Sequence, residues 1–217
     1  MSLVLQSSGG GQITIQEPAT ASNFTQTLPA ATGTVVIGSS AVSAAGQIPF
    51  STDGTTYTPT AKIVSGTAVA STSGTSIDFT SIPSWAKRIT LMFDNISTNG
   101  NSSAVFLVQI GNTTFTTSGY SGSWAYTGPA YGGSASTVGF PMMAQNTADI
   151  HSGQATINLL SGSSFKYTFS STIARTDGFV CLGGSTVTLG ALLDRVRVTT
   201  SNGTDVFDAG NINILYE

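Results

Sequence analysis

Short runs of alternating apolar and polar residues, separated by Asn-Gly, Asp-Gly and Ser-Gly turn signals, recur along most of this chain and leave little room for anything but strands. From Lys62 onward they return at intervals of about ten residues, the spacing of a sandwich or barrel. Arg88-Ile89-Thr90-Leu91-Met92-Phe93 puts Ile89, Leu91 and Phe93 on one face. Ala104 to Ile110 is apolar on both faces and reads as a central strand. Gly111-Asn112 marks a turn before Thr113 to Thr117. Ala155 to Leu160 and Phe165 to Phe169 flank Ser161-Gly162-Ser163-Ser164 as a hairpin. Arg195-Val196-Arg197-Val198-Thr199 alternates with Val196 and Val198 inward, and Asn202-Gly203 turns it toward Val206-Phe207 and a last strand, Asn211 to Tyr216.

Composition explains why helices do not compete. Glu occurs only at Glu17 and Glu217, so strong helix formers are scarce, while Thr, Val, Ile and Phe suit a pleated surface. Only 8% of residues are charged, against about 25% in an ordinary soluble domain. The chain is 40% hydrophobic and can build a core. Its surface is expected to be polar through hydroxyls and amides, as suits a protein that buries area in an assembly, where charges are costly to desolvate. A net charge of −3 without any basic run excludes an electrostatic footprint for nucleic acid. No stretch has the length of a membrane helix, and Met1 to Leu5 lacks the features of a signal peptide, so synthesis in the cytoplasm is expected.

Residues 1–60 read as an extended N-terminal arm and residues 61–217 as the main domain. Gln12 to Gln16 and Thr34 to Ile37 alternate like short strands, but the large apolar residues of the arm are too sparse to enclose a core. Such a segment cannot offset its ordering entropy alone. Ile13, Ile15, Phe24, Leu28, Val35 and Ile37 are therefore the candidates for anchoring and oligomerisation. Ile48 to Tyr57 reads as a tight hairpin turning at Asp53-Gly54, with Pro59 ending the pairing. Ser118 to Phe140, dense in glycine and aromatics, reads as long loops at one end of the domain. The fold class expected is all-β: an antiparallel, jelly-roll-like β-sandwich preceded by the arm.

The inventory of reactive groups is nearly empty. His151 and Cys181 are the single histidine and cysteine, so a Cys–His dyad or a Ser-His-Asp triad could use only these, the latter with Asp149. No nucleophile-elbow context surrounds them. Most aspartates, such as Asp53, Asp94, Asp177 and Asp208, sit beside turns, where turn hydrogen bonding is their ordinary role. Asp205, Asp208 and Asn211 lack calcium-loop spacing. No catalytic residue, metal or cofactor is expected. Cys181 reads as a small core residue, Trp85 as a core or strand-edge anchor, and Arg195 and Arg197 as partners of Asp194 or Asp205 or as interface residues. Tyr120, Trp124, Tyr126 and Tyr131 could form a flat glycan- or receptor-contacting platform, or plug the domain end or a subunit interface.

Three stretches carry a resemblance. Ile13-Thr14-Ile15-Gln16-Glu17-Pro18 through Phe24-Thr25-Gln26-Thr27-Leu28-Pro29-Ala30, then Ile82-Pro83-Ser84-Trp85-Ala86-Lys87-Arg88 to Phe93, and Leu193-Asp194-Arg195-Val196-Arg197-Val198 to Tyr216-Glu217 together resemble fibre- and spike-like virion proteins of tailed bacteriophages. The last of these resembles their closing hairpin. The resemblance covers about half of the chain, and the part from Tyr120 to Ser152 lies outside it. It implies an oligomeric, commonly trimeric appendage of the virion, held to other virion proteins by its arm, with a host-facing or solvent-facing tip; the displayed domain is a candidate to bind a host-surface glycan. The alternatives are a head fibre or capsid decoration protein without receptor binding, a stand-alone carbohydrate-binding module, or a glycan depolymerase. No nucleic acid or membrane partner is expected.

Overall fold

A computed structural model describes residues 63–100, 104–144 and 149–217 in full, Gly9 and Gly10, and the backbone of four strands nearer the N-terminus. Those four are β1 (Ser2–Gln6), β2 (Gln12–Gln16), β3 (Gln47–Phe50) and β4 (Thr58–Ala61). They form two separate antiparallel pairs, β1 with β2 and β3 with β4. Ile13 and Ile15 lie in β2, opposite Leu5 and Leu3 of β1, a strand the sequence reading did not anticipate. Phe24, Leu28, Val35 and Ile37 lie outside the described residues. The β3–β4 hairpin exists, but Phe50 pairs with Thr58, so residues 51–57 connect the strands in place of a two-residue turn. Pro59 does not end the pairing. It sits inside β4 opposite Pro49, an arrangement that costs no ladder bonds when the pair occupies a non-hydrogen-bonded site.

The main body contains β5 (Val64–Ser65), β6 (Val69–Ala70), β7 (Ser76–Thr80), β8 (Arg88–Thr98), β9 (Val105–Asn112), β10 (Thr114–Phe115) and β11 (Ser121–Thr127). It continues with β12 (Gly132–Ser136), β13 (Phe140–Ala144), β14 (His151–Ser161), β15 (Lys166–Arg175), β16 (Val180–Thr188), β17 (Arg195–Thr200) and β18 (Phe207–Tyr216). All pairings are antiparallel, and no helix occurs among the described residues. A nine-stranded sheet runs β12-β11-β16-β15-β14-β8-β18, with β5 and β6 both on the outer edge of β18. A five-stranded sheet runs β7-β17-β9, with β13 and β10 sharing the far edge of β9.

The alternation read in the sequence lands on one core shared by both sheets. Ile89, Leu91 and Phe93 of β8, Ile157 of β14, Tyr167 and Phe169 of β15, and Val196 and Val198 of β17 are all buried in it. Strand β9 is central, as its two-faced apolar pattern predicts, with Phe106, Val108 and Ile110 in the core and Leu107 and Gln109 buried on the other face. Phe140 of β13 lies flat against Phe169 of β15 at 4.9 Å and meets Tyr120 edge-on at 4.8 Å. Phe106 contacts Phe207 of β18 at 5.9 Å and His151 of β14 at 5.3 Å. Cys181 is fully buried in the same core.

Two expectations are corrected. Ser118 to Phe140 is not a set of end loops but contributes β11, β12 and the start of β13. Its glycines permit close approach: a Cβ at Gly132 would fall within 2.5 Å of the Tyr126 hydroxyl and 2.7 Å of its ring, because that ring covers its cross-strand partner glycine. The C-terminal strands are not a hairpin either. β17 pairs with β7 and β9, whereas β18 pairs with β8 in the other sheet, so the Asn202-Gly203 turn is an arch between layers. Strand β18 is also longer than read, starting at Phe207 with register shifts before Asn211. Gly210 makes the bulge possible, with φ +88° and no space for a Cβ, which would sit 2.4 Å from the Asp94 and Asn95 carbonyls. Trp85 lies between β7 and β8 and is 37% exposed, so it is not a core residue.

Because Phe140 touches both sheets, Phe140→Ala is expected to destabilise the protein by about 3–5 kcal/mol. Leu160→Ala, at a residue 58% exposed, is expected to stay within about 0.5 kcal/mol of wild type. Urea unfolding of both variants checks the contrast, and equal effects would contradict the packing described.

Candidate functional site

The four aromatics singled out in the sequence do not form a platform. Tyr120 and Trp124 are buried in the core, at 2% and 6% exposure. The Tyr120 hydroxyl accepts from the Ile110 amide at 2.9 Å and donates to the Thr116 carbonyl at 3.0 Å, tying the end of β9 to the entry of β11. Burial pushes its pKa up to about 12. Tyr126 is half-buried, stacks on Trp124 at 5.5 Å and meets Phe179 edge-on at 5.3 Å. Tyr131 alone projects into solvent, 90% exposed. Tyr120 and Trp124 thus fill the core, whereas the alternative weighed for them was a plug of the domain end or of a subunit interface.

A cleft of about 350 Å³ opens instead on the outer face of the five-stranded sheet. Its floor follows from strand register. Asp78, Arg197 and Gln109 lie side by side across β7, β17 and β9, and Ser76, Thr199 and Leu107 form the next row. One wall is Thr117 and Val138, and the end is the arch through Asn202. Gly139 packs tightly over the floor, where a Cβ would lie 3.1 Å from Leu107 and 3.3 Å from Gln109.

Hydrogen bonds fix the groups of the cleft. Gln109 Nε2 donates to the Val138 carbonyl at 2.9 Å, which fixes its carboxamide. Asn202 Oδ1 accepts from Thr200 Oγ1 at 2.8 Å and from the amides of Thr204 and Asp205 at 3.1 and 3.3 Å. Arg197 donates from Nε and Nη2 to the two oxygens of Asp78 at 2.7 and 2.6 Å, a bidentate pair, and lies 4.1 Å from the centre of the Phe115 ring. Asp78 holds the Arg197 guanidinium above its ordinary pKa. Arg195 pairs with Asp194 at 2.6 Å, which lowers the Asp194 carboxyl. Both arginines therefore have carboxylate partners, but for Arg197 the partner is Asp78 rather than Asp194 or Asp205.

The polar groups near the single histidine belong to a second cluster. Arg175 Nη2 donates to Asp149 at 2.6 Å and Asp177 at 2.5 Å, and its guanidinium lies 5.0 Å from the Phe179 ring centre. Asp149, the carboxylate a triad on His151 would use, is thus bound by Arg175. His151 is fully buried, with Nδ1 3.3 Å from the Ile96 carbonyl. Burial lowers its pKa and raises that of the Cys181 thiol. Asp208 accepts from Ser97 Oγ, and no group of three or more possible metal ligands occurs among the described residues. No helix among them is long and apolar enough to cross a membrane.

Sequence reasoning missed the cleft because its residues are scattered in order and ordinary in type. One signal was available: Gln109 is the only polar side chain in an otherwise apolar central strand from Ala104 to Ile110. Compared with protein-family models, curated proteins and solved structures, the chain matches none.

Two outcomes follow from the buried cluster. Arg175→Leu leaves Asp149 buried without its partner and is expected to cost about 3–5 kcal/mol in urea unfolding; a change below 1 kcal/mol would contradict the burial of that pair. His151 supplies a pH signature. Above its ordinary pKa of 6.5 neither the folded nor the unfolded state takes up the proton. As the pH falls below it, the unfolded chain binds a proton that the folded chain refuses, so stability drops until the lowered folded-state pKa is reached. Between about pH 7.5 and about pH 5 the urea midpoint of wild type should fall further than that of His151→Leu. Parallel profiles would contradict a buried neutral histidine.

Proposed function

We propose that this chain is a non-enzymatic structural component of a tailed-phage virion, an oligomeric, trimeric fibre or spike. In this reading residues 1–60 attach it to other virion proteins, and the two-sheet body, a jelly-roll-like sandwich, is displayed and contacts a host-surface glycan. The chain changes sheet at β6→β7, β7→β8, β8→β9, β10→β11, β12→β13, β13→β14, β16→β17 and β17→β18. That repeated passage between layers supports the jelly-roll description, with β14–β16 as an added meander.

The observation that carries the assembly reading is the outer face of the nine-stranded sheet. Register aligns Gly133, Ala125, Leu182, Thr172, Gln154, Met92 and Asn213 in one row across β12, β11, β16, β15, β14, β8 and β18. The next row is Ala135, Ser123, Gly184, Ser170, Thr156, Thr90 and Leu215. Neither row holds a charge, and Leu182 is 48% exposed. A broad face of small neutral side chains has little charge to desolvate on contact, unlike an ordinary free surface. The resemblance of the three sequence stretches to phage appendage proteins supplies the setting.

Native mass measurement of the purified full chain tests this reading. A trimer is expected, and Thr172→Lys on the neutral face is expected to weaken it. A monomer at micromolar concentration would contradict it.

A further inference from the structure

The cleft on the five-stranded sheet is lined by hydroxyl, carboxamide and apolar side chains with a single arginine. We propose that it binds a neutral, hydroxyl-rich ligand, one pyranose unit of a glycan. Its volume of about 350 Å³ falls within the ordinary size of small-ligand sites, about 300–1,000 Å³.

The polar groups that face it are held in place before any ligand arrives. Asn202 Oδ1 is occupied by three donors, and its two Nδ2 protons have no partner among the described residues. Gln109 Nε2 is spent on the Val138 carbonyl, so Oε1 is the free acceptor. Arg197 uses two of its five N–H groups on Asp78 and keeps the others. Donors and an acceptor thus converge on one cleft from three elements, β9, β17 and the arch that follows β17. Ligand binding then costs little further side-chain ordering.

Charge and shape narrow the class. Among the described residues, Arg197 is the one charged residue lining the cleft, and Asp78 neutralises it. An acidic sugar or a phosphate would gain no unpaired cation and would approach the Asp78 carboxylate. Among the described residues no aromatic ring lines the cleft, which gives a nucleobase no stacking platform there. Thr199, whose hydroxyl donates to the Thr75 carbonyl at 2.9 Å, and Thr117 line the cleft together with Val138 and Leu107, a mixed lining suited to the hydroxyl and C–H faces of a pyranose. This deepens the displayed-domain reading and depends on it only for the source of the sugar.

The test is amide NMR of the full-length protein titrated with galactose, glucose and N-acetylglucosamine, with glucuronate and N-acetylneuraminate as acidic controls. Shifts are expected at Gln109, Val138, Arg197 and Asn202 with at least one neutral sugar, and weaker or no shifts with the acidic ones. Thr117 is exposed at the rim, so Thr117→Trp fills the cleft without removing a hydrogen bond of its floor and should weaken binding at least about tenfold. Asn202→Asp keeps the accepting oxygen, loses the free donor and should weaken binding about tenfold. The proposal is overturned if no neutral sugar shifts these residues, if acidic sugars bind more tightly, if shifts centre on Tyr131, or if Thr117→Trp binds as wild type does. A monomer that still binds sugar in the cleft would sink the assembly reading alone, whereas a trimer without sugar binding would sink this proposal alone.

Discussion

The packing of Phe140 between Tyr120 and Phe169 is the contact on which the rest of the body depends. Phe140 belongs to the five-stranded sheet, Phe169 to the nine-stranded sheet, and Tyr120 to the connection between them. Burying three aromatic rings against one another supplies apolar area and ring geometry at the same point. The Tyr120 hydroxyl then fixes the end of β9 through Ile110. The backbone leading into Phe140 carries Val138 and Gly139 over Leu107 and Gln109, so the plug that joins the sheets also builds one wall of the cleft.

The charges of the body are few, and most are spent locally. Arg197 faces Asp78 across a strand pair, Arg195 faces its neighbour Asp194, Arg88 reaches Glu217, and Arg175 holds two aspartates. With 8% charged residues in the chain, wide areas of sheet carry hydroxyl, amide and small apolar side chains. That is the property linking the proposed assembly face to the proposed sugar site. Both rely on neutral polar groups placed by strand register.

Where one face is buried and the other wet, period-two alternation made strands legible: Ile89, Leu91 and Phe93, or Val196 and Val198, could be assigned inward from the sequence. The central position of β9 was legible for the opposite reason, an apolar run on both faces. The strands β11 to β13 were not, because a stretch so dense in glycine read as loops. In the fold, Gly132 serves close cross-strand packing under Tyr126, and Pro141 sits on β13, which pairs on one side only. The two C-terminal strands were legible individually, but a turn signal does not distinguish a hairpin from an arch between sheets. The cleft was illegible because its polar groups come together only through the pairing of β7, β17 and β9 with the arch at Asn202.

The central claim is that this neutral-surfaced body is displayed on a virion, and labelling intact particles tests it most directly. Antibody raised against the purified protein and applied to phage particles under the electron microscope should decorate discrete appendages at fixed positions on the particle. Particles from the host of this chain that remain unlabelled, while the same antibody detects the free protein in the lysate, would contradict the account.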